Sequence, residues 1–258
     1  MNTGAYSATS PNALQSISAE LSEAVSQIRF QPPVSVVYNP LEYARQPFHA
    51  YLERYGSGPK RVVFLGMNPG PWGMGQTGVP FGEVSRVAAW LGIGGRVEQP
   101  AVLHPRRPVS GFDCSRSEVS GRRLWDLFSR LFKRPECFFL DHFVANYCPL
   151  LFFDQDGRNL TPDKLSLADR RLLFPVCDAH LDAMAKILRP QWIVGVGRFA
   201  EKRASAALST RTIGVVGILH PSPASPASNR NWEENVIRCL HIHGVWPEHD
   251  SISPCGKG

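Results

Sequence analysis

The sequence predicts an α/β domain with a three-layer α/β/α architecture around a central four-stranded parallel sheet. Three observations carry that expectation. Four short apolar runs, Arg61 to Leu65, Phe143 to Leu150, Gln191 to Gly197 and Arg211 to Leu219, are separated by segments of helical periodicity. Parallel strands joined by crossover helices have this pattern. The runs are apolar almost throughout rather than alternating, as strands covered on both faces are. Segments carrying polar groups lie at or near the ends of three of the runs. A parallel sheet brings them to one edge, where open α/β sheets bind ligands.

The elements follow in order. Residues 1–12 are small and polar and are expected to be disordered. Leu14, Ile17, Leu21, Val25 and Ile28 then recur at helical spacing behind Asn12. After Pro32-Pro33, Asn39-Pro40 offers an N-cap with proline at the first helical position, and Leu41, Ala44, Phe48, Tyr51, Leu52 and Tyr55 share one helix face. Gly56 to Pro59 ends that helix and delivers the first strand. The stretch Gly66 to Glu83, GMNPGPWGMGQTGVPFGE, follows the strand, is rich in glycine and proline, and contains no Lys or Arg. Such a backbone can bring its N–H groups close to a flat or anionic ligand, so it reads as a pocket wall.

Val84, Val87, Ala88 and Leu91 mark a short helix that stops at Gly92. Residues 96–117 lack periodicity. Arg106, Arg107, Arg116, Arg122, Arg123, Lys133 and Arg134 make the surrounding region basic, either as a solvated face or as phosphate contacts at a pocket mouth. A helix from about Glu118 to Phe132 leads to the second strand, in which Asn146 is the polar exception; a buried amide needs partners or costs about 1–3 kcal/mol. A long helix from Thr161-Pro162 to Leu188, the third strand, a helix from Phe199 to Leu208 and the fourth strand follow. That strand runs into His220-Pro221-Ser222-Pro223-Ala224-Ser225 and on to Asn229. Trp232 to His241 forms the last helix.

At 258 residues and 43% hydrophobic, the chain can bury one substantial core. A single domain over 13–246 with a loose tail over 247–258 is expected. Lys and Arg number 28 against 22 acidic residues, a net charge of +6, which permits a polyanionic partner without requiring one. The six cysteines contain no CxxC pair, which argues against a zinc site or iron–sulfur cluster, and they read as thiols of a reducing compartment. No metal or cofactor is expected. The N-terminus lacks a basic segment followed by an apolar one, and no run is long enough to span a bilayer. A cytoplasmic or nuclear location is therefore expected.

Asn68, Asn146 and His220 are the polar side chains that this topology converges, with Phe81 and Trp72 as aromatic surfaces. The set holds no carboxylate pair, no nucleophile beside a base and no Walker lysine, so acid–base hydrolysis, acyl transfer and P-loop chemistry are poorly supported. Cys239-x-His241-x-His243 at a helix end is a weak metal candidate. An amide can read a base edge through two hydrogen bonds, a histidine can stabilise a developing oxyanion, and an aromatic ring can stack on an extruded base.

GMNPGPWGMGQTGVPFGE and HPSPASPASN resemble the paired motifs of the single-strand-selective monofunctional uracil-DNA glycosylases. YNPLEYA at Tyr38–Ala44, RPVSGFDCSRSEVSG at Arg107–Gly121 and NYCPL at Asn146–Leu150 extend the similarity. The resemblance implies a repair glycosylase that removes uracil from single- or double-stranded DNA without cutting the strand, acting as a monomer. It implies that Asn68 positions the attacking water and that His220 stabilises charge on uracil O2. Asn146 would pair with the uracil edge, Phe81 would stack, and Met67, Gly70 and Met74 would line the base. Pro221, Ser222, Pro223, Ala224 and Ser225 would contact DNA.

The chain departs from the pattern at Ala224, where a basic wedge residue is expected, and at Trp72, where phenylalanine is common. A short residue at the wedge predicts faster excision from single strands or mismatches than from paired duplex. A non-catalytic nucleic-acid-binding module and a nucleoside hydrolase on the same fold are the rival readings.

Overall fold

The structure, a computed structural model, describes residues 11–223 and 230–247. Helix α1 (Pro11–Ser26) buries Leu14, Leu21 and Val25. Strand β1 (Val36–Tyr38) precedes α2 (Pro40–Tyr43), where the Asn39 side chain accepts the Leu41 amide at 3.2 Å and Pro40 occupies the first turn. The helix expected through Tyr55 is interrupted at Ala44 and resumes as α3 (Arg45–Tyr55). The Gly78 backbone approaches at this break: a Cβ on Gly78 would lie 2.6 Å from the Ala44 carbonyl oxygen.

Strand β2 (Val62–Gly66) is buried along its whole length and leads into the glycine-rich loop. That loop contains one helical turn, α4 (Met74–Thr77), before α5 (Val84–Ala89). Next come α6 (Val119–Phe132), α7 (Pro135–Phe139), β3 (His142–Asn146), β4 (Leu151–Phe153) and β5 (Asn159–Leu160). The chain finishes with α8 (Leu167–Leu188), β6 (Trp192–Val196), α9 (Arg198–Ala207), β7 (Gly214–Ile218) and α10 (Trp232–Ile242).

The main sheet runs β3-β2-β6-β7, with every pair parallel, as expected. Its two faces are covered by different helices. Phe64 lies 4.9 Å from Phe128 of α6 and 6.2 Å from Phe138 of α7, centroid to centroid. On the other face a Cβ on Gly195, which pairs with Leu65, would meet the Glu201 amide of α9 at 2.3 Å. That glycine lets α9 lie close to the sheet. The register pairs Gly66 with Asn146 and Val196 with Ile218, so the loops after β2, β3 and β7 leave from one edge.

The run Phe143–Leu150 is not one strand. Pairing continues for two residues past Asn146, with the Tyr147 amide donating to Gly66 and the Cys148 amide to Met67, both at 2.9 Å. It then stops at Pro149, which has no N–H to donate. Leu151 to Phe153 instead joins a three-stranded antiparallel sheet, β1-β4-β5, which the sequence reading missed. A small core of Tyr38, Tyr43, Ala44, Val109, Leu151 and Phe153 lies beneath it. The cysteine expectation also needs correction: Cys114, Cys148, Cys177 and Cys239 are free thiols, but Cys137 is disulfide-bonded. Among the described residues no helix is long and apolar enough to cross a membrane.

Candidate active site

Gly66 forms the floor of the site. A Cβ there would lie 2.3 Å from Asn146 Oδ1 and 2.6 Å from Phe81 Cε2, so only glycine lets the amide and the ring close over the end of β2. Asn146, the last residue of β3, donates through Nδ2 to the Met74 sulfur at 3.2 Å. A thioether is a weak acceptor, and a better one can displace it. Met74 is itself buried at the start of α4. Asn146, Met74 and Phe81, named from sequence, therefore surround one space.

Phe81 has φ 53°, a left-handed conformation that is unusual for a residue with a bulky side chain. Its carbonyl accepts the Trp125 indole N–H at 3.0 Å and the Glu83 amide at 2.8 Å. Gly121 lets α6 come this close, since a Cβ there would be 2.1 Å from the Phe81 oxygen. The surrounding structure thus holds the strained backbone and aims the ring. The Phe81 ring stands 6.2 Å from the His220 ring, inclined at 37°.

His220 follows β7 directly. Its Nδ1 accepts the Ser222 amide at 3.2 Å, which places the proton of the neutral ring on Nε2. Burial holds its pKa down to about 4, so the ring is neutral at physiological pH. The neighbouring Pro221 carbonyl accepts Arg123 Nη1 at 3.1 Å. Pro221 is buried and Pro223 is exposed, while Ala224 and Ser225 lie outside the described residues.

Asn68 donates through Nδ2 to the Leu150 carbonyl at 3.0 Å and to Pro69 at 3.4 Å. A carbonyl can only accept, so the nitrogen must face Leu150 and the orientation of the amide is settled. The acceptor Oδ1 then points to the other side. Half-buried Met67 adjoins it and is tied through its carbonyl to Cys148.

Glu118 is the residue that the sequence did not single out. A Cβ on Gly70 would lie 2.1 Å from its Oε1 and one on Gly73 only 1.4 Å from its Oε2, so the carboxyl packs directly against both glycines. Oε2 is buried without a hydrogen-bond partner. Burial, with a smaller contribution from the Glu83 charge, pushes the Glu118 pKa up from 4.5 to about 7. The only sequence signal was its place at the start of a helix, which reads as a cap, yet it makes no side-chain capping bond.

Among the described residues no group of three or more His, Cys, Asp or Glu side chains could hold a metal. In the Cys239–His243 candidate the sulfur is 3.8 Å from His243 Nδ1, and that nitrogen lies 2.8 Å from the Cys239 carbonyl within the same helix end.

The family model described as "Uracil DNA glycosylase superfamily" matches residues 53–241. The chain is 51% identical over 239 residues to the single-strand selective monofunctional uracil-DNA glycosylase of Rattus norvegicus, covering 91% of this chain and 86% of the relative. Its Bos taurus counterpart is 50% identical over 229 residues, covering 88% and 84%. The crystal structure of Pedobacter heparinus SMUG2 superposes with a TM-score of 0.63 at 17% identity, over 89% of this chain and 99% of that one, a likeness of fold. With a superfamily match across most of its length and half identity to these relatives, the chain belongs to the uracil-DNA glycosylase superfamily, in its single-strand selective monofunctional branch.

Proposed function

We infer that this protein hydrolyses the N-glycosidic bond of uracil in DNA, leaving an abasic site and an intact strand, with Asn68 and His220 as its catalytic residues. The observation that carries the assignment is the convergence of the β2, β3 and β7 loops around Gly66, which places two amides, a neutral imidazole and an aromatic ring on one sheet edge.

The reaction breaks the bond between C1′ and uracil N1, with the bonding electrons leaving on the base. A water then adds to the oxocarbenium-like sugar and releases its proton to solvent. His220 presents an Nε2–H to the developing oxyanion, and being neutral already it needs no proton transfer to do so. Asn68 Oδ1 accepts from the attacking water while its nitrogen stays on Leu150. An amide is a weak base, but a cationic sugar needs only a positioned water. Asn146 pairs with the uracil edge in place of the Met74 sulfur, and Phe81 covers the ring. Met67 and Gly70 complete the wall. The loop contains no lysine to form a Schiff base, in keeping with a monofunctional hydrolase.

The preferred substrate is single-stranded DNA, as in the relatives' name and as Ala224 in the His220 loop suggests. The protein works as a monomeric domain over 13–246, without cofactor, in the cytoplasm or nucleus. Release of free uracil from a uracil-containing oligonucleotide, without added metal and without strand scission, separates this reading from a binding module and from a nucleoside hydrolase. Asn68→Ala and His220→Ala should each slow single-turnover release by orders of magnitude while still binding DNA. Wild-type rates in both would remove the assignment.

A further inference from the structure

Trp72 stands in the same loop as Asn68, half-buried, where sequence reading makes it a stacking surface for a base. The structure gives that indole to arginine. The Arg116 guanidinium lies 4.3 Å from the centre of the ring and that of Arg107 5.6 Å, and Arg107 is also 5.6 Å from the Phe153 ring. At 4.3 Å nothing as thick as a base fits between Arg116 and the ring. Arg107 is anchored by Nε to the Gly157 carbonyl at 2.5 Å, and its own carbonyl accepts the Tyr38 hydroxyl at 2.7 Å.

Among the described residues neither Arg107 nor Arg116 pairs with a carboxylate, whereas adjacent Arg106 pairs with Asp156. The nearest carboxyl in sequence to Arg116, that of Glu118, packs against Gly70 and Gly73 and makes no ion pair with it. That contact also ties the segment bearing Arg116 to the loop bearing Asn68 and Trp72. Two guanidinium groups held against one indole, with no carboxylate partner among the described residues, form a preorganised anion site, and their planar forks match a phosphate.

We propose that Trp72, Arg107 and Arg116 form a phosphate-holding station for the DNA strand next to the excised nucleotide, with the indole as a platform for arginine rather than for a base. The proposal rests on the DNA-directed reading above. The station grips the backbone beside the reacting sugar and is indifferent to base sequence. Because it needs one strand only, it serves single-stranded DNA as well as duplex.

The test is equilibrium binding of a fluorescein-labelled single-stranded oligonucleotide carrying a tetrahydrofuran abasic analogue, measured by anisotropy across a salt series. Arg116→Ala should reduce the slope of log affinity against log salt by about 0.7, equivalent to about a fivefold loss at 0.1 M relative to 1 M salt. Trp72→Ala should show a similar loss and Trp72→Phe little, and the double alanine variant should lose no more than Arg116→Ala alone. In turnover the loss should fall on KM rather than kcat. An unchanged slope in Arg116→Ala overturns the proposal. Additive losses in the double variant overturn it as well, since they give Trp72 a separate, base-stacking role. Failure of the functional reading would appear differently, as no uracil release by the wild-type protein, and the binding slopes read the station independently of it.

Discussion

Glu118→Gln replaces a carboxyl whose buried Oε2 has no hydrogen-bond partner with an uncharged group of the same shape. In the folded protein Glu118 holds its proton up to about pH 7, against an ordinary value of 4.5 in the unfolded chain. Between these values the native state binds more protons than the unfolded state, so stability falls as pH rises through the window and levels off above it. The difference of 2.5 (7 − 4.5) corresponds to roughly 3 kcal/mol, at about 1.36 kcal/mol for each pH unit. Glutamine does not titrate. The stability of Glu118→Gln minus that of the wild type should therefore grow by up to about 3 kcal/mol between pH 4.5 and 7 and then remain constant. Urea unfolding of both proteins across this range measures it. His142, His180 and His220, held down to about 4, and Lys60, lowered to about 8, are present in both proteins and cancel in the difference. A difference that does not change with pH would refute the claim that Glu118 is protonated against the Gly70–Gly73 backbone.

Four further outcomes are expected. Because His220 stays neutral down to about pH 4, uracil excision should not fall through a transition near 6.5 on the acid side; single-turnover rates across pH test this, and a midpoint near 6.5 that vanishes in His220→Ala would contradict it. The same burial lowers stability as pH falls from 6.5 towards 4, where the unfolded histidine gains a proton that the folded one refuses. Asn146→Asp should slow uracil excision and admit cytosine, whose amino group a carboxylate can accept; unchanged uracil kinetics would make Asn146 merely structural. Gly66→Ala would force a Cβ against Asn146 and Phe81, displacing both. It should cut excision by about 100-fold while costing about 1–3 kcal/mol of stability, a split read by comparing rate with urea midpoint.

The parts legible in the sequence were those that a local pattern encodes. The four apolar runs announced the parallel sheet because strands covered on both faces need no alternation, and polar segments near three strand ends pointed to the edge that carries the candidate site. Asn68, Asn146 and His220 could be named because each is a polar side chain at or just beyond the end of an apolar run. The antiparallel sheet was not legible: strands of three and two residues are too short to show a period. The interruption at Ala44, where Gly78 from thirty-four positions away packs closely, leaves no mark on the helical spacing.

Other features depend on contacts between segments remote in sequence. The sequence by itself determined the fold class, the loop and the residue types of the candidate site, because backbone propensity and hydrophobic period are properties of neighbours along the chain. The tertiary structure alone decided that Phe81 is held at positive φ by an indole from α6, that the Asn68 amide is oriented by Leu150, and that Trp72 carries arginine. It also decided that Glu118, which looks like a helix cap, buries its carboxyl against Gly70 and Gly73. The physical reason is the same in each case: hydrogen-bond direction, ring contact and desolvation are set by what lies across a few ångströms of space, and only folding brings those groups together.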